Sequence, residues 1–178
     1  MQHTRFASIL AIALFVPGIA SAQVSTQADT TAANATLDGT IGASEYAGFA
    51  GAGASFGGPL GAEVLGFQSD VLGNLTISKT NTVAVCPDVA VVYLDTKAGG
   101  FSSTTTFDDT GDTLRAGISG FDGTNRATLN FAPGFEADYA IAWDSGFAGL
   151  WELNGTGSHS FVKTLTGTNA GCLIELGG

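Results

Sequence analysis

Basic residues are scarce in this chain: 178 residues carry six Lys and Arg against 16 Asp and Glu, a formal net charge of −10. Binding a polyanion draws on clustered Lys and Arg that release counterions from phosphates. Lys79, Lys97, Arg115, Arg126 and Lys163 are instead scattered singly, which speaks against nucleic acid, and an anionic membrane surface would repel the chain. Histidine and cysteine are also rare, with two of each, His3 and His159, Cys86 and Cys172. A zinc centre built on imidazole and thiolate therefore lacks ligands. Few Lys, Arg or Gln are available for long amphipathic helices, whereas Gly alone numbers 26.

The one long apolar run lies at the start, in MQHTRFASILAIALFVPGIASAQ. Arg5 precedes the run from Ile9 to Val16, Pro17-Gly18 breaks it, and Ala20-Ser21-Ala22 supplies small residues, the pattern of a secretory signal peptide cut after Ala22. The run is shorter than the roughly 20 apolar residues that span a bilayer, so no membrane insertion is expected after cleavage. Removal of residues 1–22 leaves 156 residues with all 16 acids and five of the six bases, a net charge of −11. Residues 23–36 are small and polar without period and read as a flexible leader. Residues 37–178 are long enough for a single domain with a real core. The expected location is secreted or periplasmic, or the cell surface. In such a compartment Cys86 and Cys172 are expected to pair, closing a loop that stabilises by about 4 to 5 kcal/mol in the chain-entropy model. Two unconnected buried thiols are the alternative.

Along the domain, Asp38-Gly39 marks a turn, and residues 49–66, very rich in Gly and Ala, fit a loop or a loose strand. Residues 71–78 alternate as a strand with one wetter face. VAVVYL at 89–94 is apolar on both sides, which predicts a central strand covered on both faces. Residues 101–113 are dense in Thr, Ser and Asp and read as turns, and 127–131 as a short strand before Pro133-Gly134. In NFAPGFEADYAIAWD, Phe135, Ala137, Tyr139, Ile141 and Trp143 alternate with Glu136, Asp138, Ala140, Ala142 and Asp144, predicting a half-buried strand whose acids face water. After the Asp144-Ser145-Gly146 turn, residues 147–153 return as its hairpin partner, so Trp143 and Trp151 sit in one hairpin and could pair across it. Phe161 to Leu165 follows as another strand. Short strands between frequent turn signals predict an all-β fold, an antiparallel β-sandwich.

Candidate chemistry is sparse. Glu136 and Asp138 on one strand face would stand roughly 6.8 Å apart, within the carboxyl separations of glycoside hydrolysis, but a general acid needs an environment that raises its pKa, and a solvated strand face is the expected role. Gly53-Ala54-Ser55-Phe56-Gly57 matches the G-x-S-x-G elbow with His159 downstream. Its glycine-rich flanks do not supply the strand–turn–helix that an elbow requires, and His159 is expected to decorate the NGTGSHS turn. Asp95, Asp108, Asp109 and Asp112 are candidate Ca²⁺ ligands, as hard carboxylate oxygens on turns, although the ordered EF-hand spacing is absent. Trp151, Phe147 and Trp143 are candidate platforms for sugar rings, with Trp143 in register for the core.

LDGTIGASEYAG, VVYLDTKAGG and LNFAPGFEADYAIAW, followed by the aromatic hairpin, resemble exported bacterial β-sandwich proteins related to family 9 carbohydrate-binding modules and DOMON-like domains. The resemblance covers residues 37–165. It implies a jelly-roll-like sandwich in which 95–100 and 131–139 are framework, it carries no catalytic signature, and it implies further strands beyond Cys172, so that the fold here is smaller or the sandwich incomplete at its C-terminus. Function is accordingly expected to be that of a non-enzymatic module binding glycan or extracellular matrix, a polysaccharide or cell-surface glycan being the partner. The alternatives are a structural or self-assembling surface protein and, third, a hydrolase using Ser55 or Glu136 and Asp138.

Overall fold

The computed structural model describes residues 9–12, 23–26, 47–55, 58–69, 75–80, 89–144, 146–170 and 173–177. Its strands are β1 (Ile9–Ile12), β2 (Gln23–Thr26), β3 (Ala47–Ser55), β4 (Gly58–Ser69), β5 (Leu75–Thr80), β6 (Ala90–Asp95), β7 (Tyr139–Trp143), β8 (Ala148–Glu152), β9 (Ser160–Thr164), β10 (Thr166–Ala170) and β11 (Leu173–Gly177). One short helix, α1 (Thr113–Ser119), lies between β6 and β7. The described chain is thus mostly strand, and its centre is an antiparallel four-stranded sheet in the order β6-β7-β8-β9. β1 and β2 continue it beyond β6, although β1 lies in the segment expected to be removed on export. β10, β11, β5, β4 and β3 form a second antiparallel sheet.

The β6 sequence explains why it is central. Its apolar residues occupy both phases of the pleat, so Val92 enters a cluster with Ile77 of β5, Ile141, Trp143 and Ala148. Tyr93 enters the other, with Phe107, Leu114, Ile118, Phe131, Phe135 and Trp151. Both faces are covered, as expected from a strand without a polar side. On the second face the cover is α1 and the 96–138 connection rather than another sheet. Burial of about 25 cal/mol per Å² of apolar surface is what holds such a layer down, and Phe107 and Ile118, both fully buried, carry a large part of it.

α1 was not anticipated, since the polar turn reading ended at Thr113. Its ends are nonetheless encoded locally. Asp112 caps the start, its carboxylate accepting from the Arg115 N–H at 2.9 Å. Gly120 stops it in the left-handed region at φ 60°, with its N–H turned back to the carbonyls of Ala116 and Gly117. Between the caps, Leu114 and Ile118 stand four apart and share the buried face. Where a short strand was expected at 127–131, only one isolated bridge occurs, Ser103 with Asn130.

The strict alternation expected from Phe135 to Trp143 also fails, with β7 beginning only at Tyr139. Phe135 and Ala137 pack in the same cluster as Ala140 and Ala142, while Ile141 and Trp143 face the other way. The phase therefore slips by one residue between Ala137 and Ala140, where the chain leaves its bridge to Phe101 and joins β6. Asp138 falls on this slip and is buried rather than wet.

The Trp143–Trp151 pair is likewise corrected. β7 and β8 do form the expected hairpin, closed by Asp144, whose carboxylate accepts from the N–H groups of Gly146 and Phe147. Its register sets Trp143 opposite Ala148 and Ala140 opposite Trp151. Directly paired residues share a face, so partners one even and one odd place two odd-numbered residues on opposite faces. The indoles lie in different clusters.

Candidate functional site

The buried polar node beside α1 is assembled from three places. Ser119 ends the helix, Asp109 leaves the turn before it, and His159 closes the 154–159 loop ahead of β9. All three are buried. Ser119 Oγ is 3.2 Å from His159 Nε2, and the trio superficially resembles a nucleophile relay. Such a relay needs the serine to donate to one imidazole nitrogen while the other donates to a carboxylate. Here the Asn154 N–H donates to Nδ1 at 3.1 Å. These partners assign the proton to Nε2, which donates to Ser119 Oγ. Asp109 accepts from the backbone N–H of His159 at 2.7 Å and from Gly111 N–H at 2.9 Å, never from the ring. The hydrogen-bond directions are the reverse of a relay, and the node is structural.

Electrostatics keep that imidazole neutral. Burial lowers the His159 pKa from its ordinary value near 6.5; the Asp109 carboxylate opposes this, the Arg115 guanidinium adds to it, and Asp108 opposes it again. The ring also meets Phe107 edge to face at 5.0 Å between centroids. His159 is therefore a load carried by the core, not a turn decoration.

The second feature lies at the outer edge of the same sheet. Phe161 pairs with Trp151 across β8 and β9, and the register shifts between Leu150 and Trp151 so that Val162 is the extra residue. Such a bulge re-aims side chains, and Phe161 and Val162 are both 47% exposed, beside Phe147 at 41%. The Phe147 and Phe161 ring centroids are 6.2 Å apart, inclined by 39°. Trp151 underlies them, edge to face with Phe161 at 5.6 Å and with Phe147 at 6.4 Å. It can lie flat because residue 149 is glycine: a Cβ there would stand 2.7 Å from Trp151 Cη2.

Of the aromatic candidates, Trp143 and Trp151 are each 2% exposed. A buried indole offers no free ring face, so Trp151 serves as the floor of the patch and Phe147 alone of the three reaches solvent. Phe161 and Val162 were missed as site residues. The signal was their adjacency, because two large apolar neighbours on a regular strand cannot both face one core.

The four candidate cation ligands each hold a backbone N–H, and Asp109 and Asp112 also flank the Arg115 guanidinium. Asp95 accepts from Glu136 N–H at 3.1 Å, Asp108 from Gly157 N–H at 2.5 Å, Asp109 as above, and Asp112 caps α1. Among the described residues no three His, Cys, Asp or Glu side chains converge as metal ligands. Glu136 and Asp138 do not form a carboxyl pair either. Glu136 is exposed, whereas Asp138 is buried and its carboxylate accepts from the N–H of Thr96 and Lys97 and from Thr96 Oγ1. Ser55 ends β3, and the chain returns as β4 with Ser55 opposite Gly58. Strand follows strand here, whereas an elbow leads into a helix. Cys86 and Cys172 and the turn at Asp38-Gly39 lie outside the described residues. In comparisons with known proteins, no family model, no curated protein and no solved structure matches this chain.

Proposed function

We propose that the chain is an exported, non-enzymatic β-sandwich module that binds glycan, a matrix or cell-surface polysaccharide, through the Phe147–Phe161 face. One observation carries this reading: two exposed phenyl rings held side by side on a buried tryptophan floor, one on β9 and the other at the residue that leads into β8. Sugar rings present apolar C–H faces, and stacking on aromatic rings gives adhesion without a deep pocket. The patch is small, consistent with weak binding multiplied by repetition along a polymer. The signal-like N-terminus, the resemblance to family 9 carbohydrate-binding modules, and the contact of β5 Ile77 with the central sheet, as between the layers of a sandwich, support the same reading. The test is affinity electrophoresis of the mature chain through gels holding neutral, acidic and amino polysaccharides, with Ca²⁺ or with EDTA. Retardation on at least one gel that Phe147→Ala with Phe161→Ala abolishes is expected; migration unchanged on every gel overturns the reading, and retardation lost only in EDTA would return calcium to it.

A self-assembling surface protein is the second reading, favoured by the position of the same patch on β9, the last strand of its sheet among the described residues. Sedimentation velocity distinguishes the two, since assembly requires species larger than the monomer whose proportion rises with concentration.

A further inference from the structure

The 154–159 loop is tied down by several polar contacts, one of which, from the Asn154 N–H, ends on the His159 imidazole. Asn154 N–H donates to His159 Nδ1, and the Asn154 side-chain amide donates to Ser158 O at 2.6 Å and to Ser160 Oγ at 3.1 Å. Gly157 N–H is held by Asp108 and His159 N–H by Asp109. Ser160 is the first residue of β9 and Phe161 the second, so the loop's anchor and the start of the aromatic edge are covalent neighbours.

We infer that His159 is an acid-sensitive latch: protonation of its ring releases the 154–159 loop and loosens the first residues of β9, weakening the Phe147–Phe161 face. The chemistry is a mismatch of donors. A proton added to Nδ1 points at the Asn154 N–H, which is already a donor, so two N–H groups oppose each other where one hydrogen bond had been. The other groups facing the ring do not relieve this. From the 104–112 segment, Asp108 and Asp109 are used on backbone N–H groups, and Phe107 offers only its ring. From α1, Ser119 already accepts from Nε2, and Arg115 adds like charge, itself drawn toward Asp112 at 3.2 Å and Asp109 at 3.9 Å. The regulatory part, control of the aromatic face, rests on the glycan reading; the opening of the loop does not.

The experiment is carried out on the mature chain without ligand. Amide exchange at 155–158, corrected for its intrinsic pH dependence, is followed from pH 7 to pH 5, a range above the ordinary carboxylate region. If the open loop frees an imidazole titrating near 6.5, opening increases by up to roughly 25-fold across that range. His159→Gln, which cannot be protonated, is expected to show no such rise. A rise below threefold in the native chain, or an equal rise in His159→Gln, overturns the proposal. Should the variant not fold, NMR titration of the His159 ring in the native chain decides: titration below 6.5 that moves together with the 155–158 amides supports the latch, and titration at or above 6.5 with those amides still overturns it. A latch without polysaccharide binding leaves the loop mechanism standing and removes the functional reading; binding at pH 7 that is unchanged at pH 5 does the reverse to the regulatory part.

Discussion

The carboxylate of Asp138 accepts the backbone N–H of Lys97 at 2.8 Å, across 41 residues of chain. The same carboxylate takes the N–H and hydroxyl of Thr96, so the turn leaving β6 is fastened to the strand entering β7. Hydrogen bonds to a charged, buried acceptor contribute about 1.5 to 3 kcal/mol each before the non-additivity of a shared group is considered. Asp138→Ala is expected to destabilise by about 3 kcal/mol in urea unfolding, and Asp138→Asn by less, because the amide oxygen still accepts. A loss under 0.5 kcal/mol for Asp138→Ala would contradict this role.

Gly120 stops α1 at φ 60°, and a Cβ there would collide with the carbonyl oxygen of Ala127. Gly123, at φ 95°, would meet nothing. Both substitutions to Ala strain the backbone by roughly 1 kcal/mol, and only Gly120→Ala adds a clash with main chain that cannot rotate away. Paired melting curves should place Gly120→Ala below Gly123→Ala by several degrees. Equal melting temperatures would mean that the 120–127 contact is not maintained.

Stability should depend on pH through His159. A folded-state pKa lowered below the unfolded value near 6.5 means that the unfolded chain takes up the proton first. The stabilisation is fully present above 6.5 and is lost as pH falls below it toward the folded pKa. Thermal melts from pH 7.5 to pH 5 should therefore show a decline beginning near 6.5, and His159→Gln should flatten it.

Much of the central sheet was legible, and the reason is particular. In VAVVYL both phases of the pleat are apolar, which only a doubly covered strand tolerates, and the Asp144-Ser145-Gly146 turn announced the β7–β8 hairpin. The phase slip at Asp138 was not legible, because FEADYAIAW satisfies period two from end to end. What breaks the alternation is the attraction of the acid for N–H groups 41 and 42 residues away, which no local window contains. The Trp143 and Trp151 faces depended on the parity of one register, set by a turn whose carboxylate contacts were invisible in sequence. α1 was short enough that its single pair of apolar residues resembled chance, although Asp112 and Gly120 marked both of its ends.

The aromatic face predicts a separation of effects. Phe147→Ala and Phe161→Ala remove half-exposed rings and should each lower stability by less than about 1 kcal/mol, while reducing polysaccharide retention at least tenfold together. Trp151→Ala removes the buried floor and should cost about 3 to 5 kcal/mol. If the two Phe variants destabilise as much as the Trp variant, the rings belong to the core and the patch is no docking face.

Because the two indoles stand back to back across one layer of backbone, each is a private optical reporter. Trp143 emits from the compartment beneath β5 and Trp151 from the compartment beneath the phenyl pair. Replacing either by Phe leaves a single-tryptophan chain, so with excitation selective for indole one protein offers two channels through which loosening of one flank can be watched while the other stays dark.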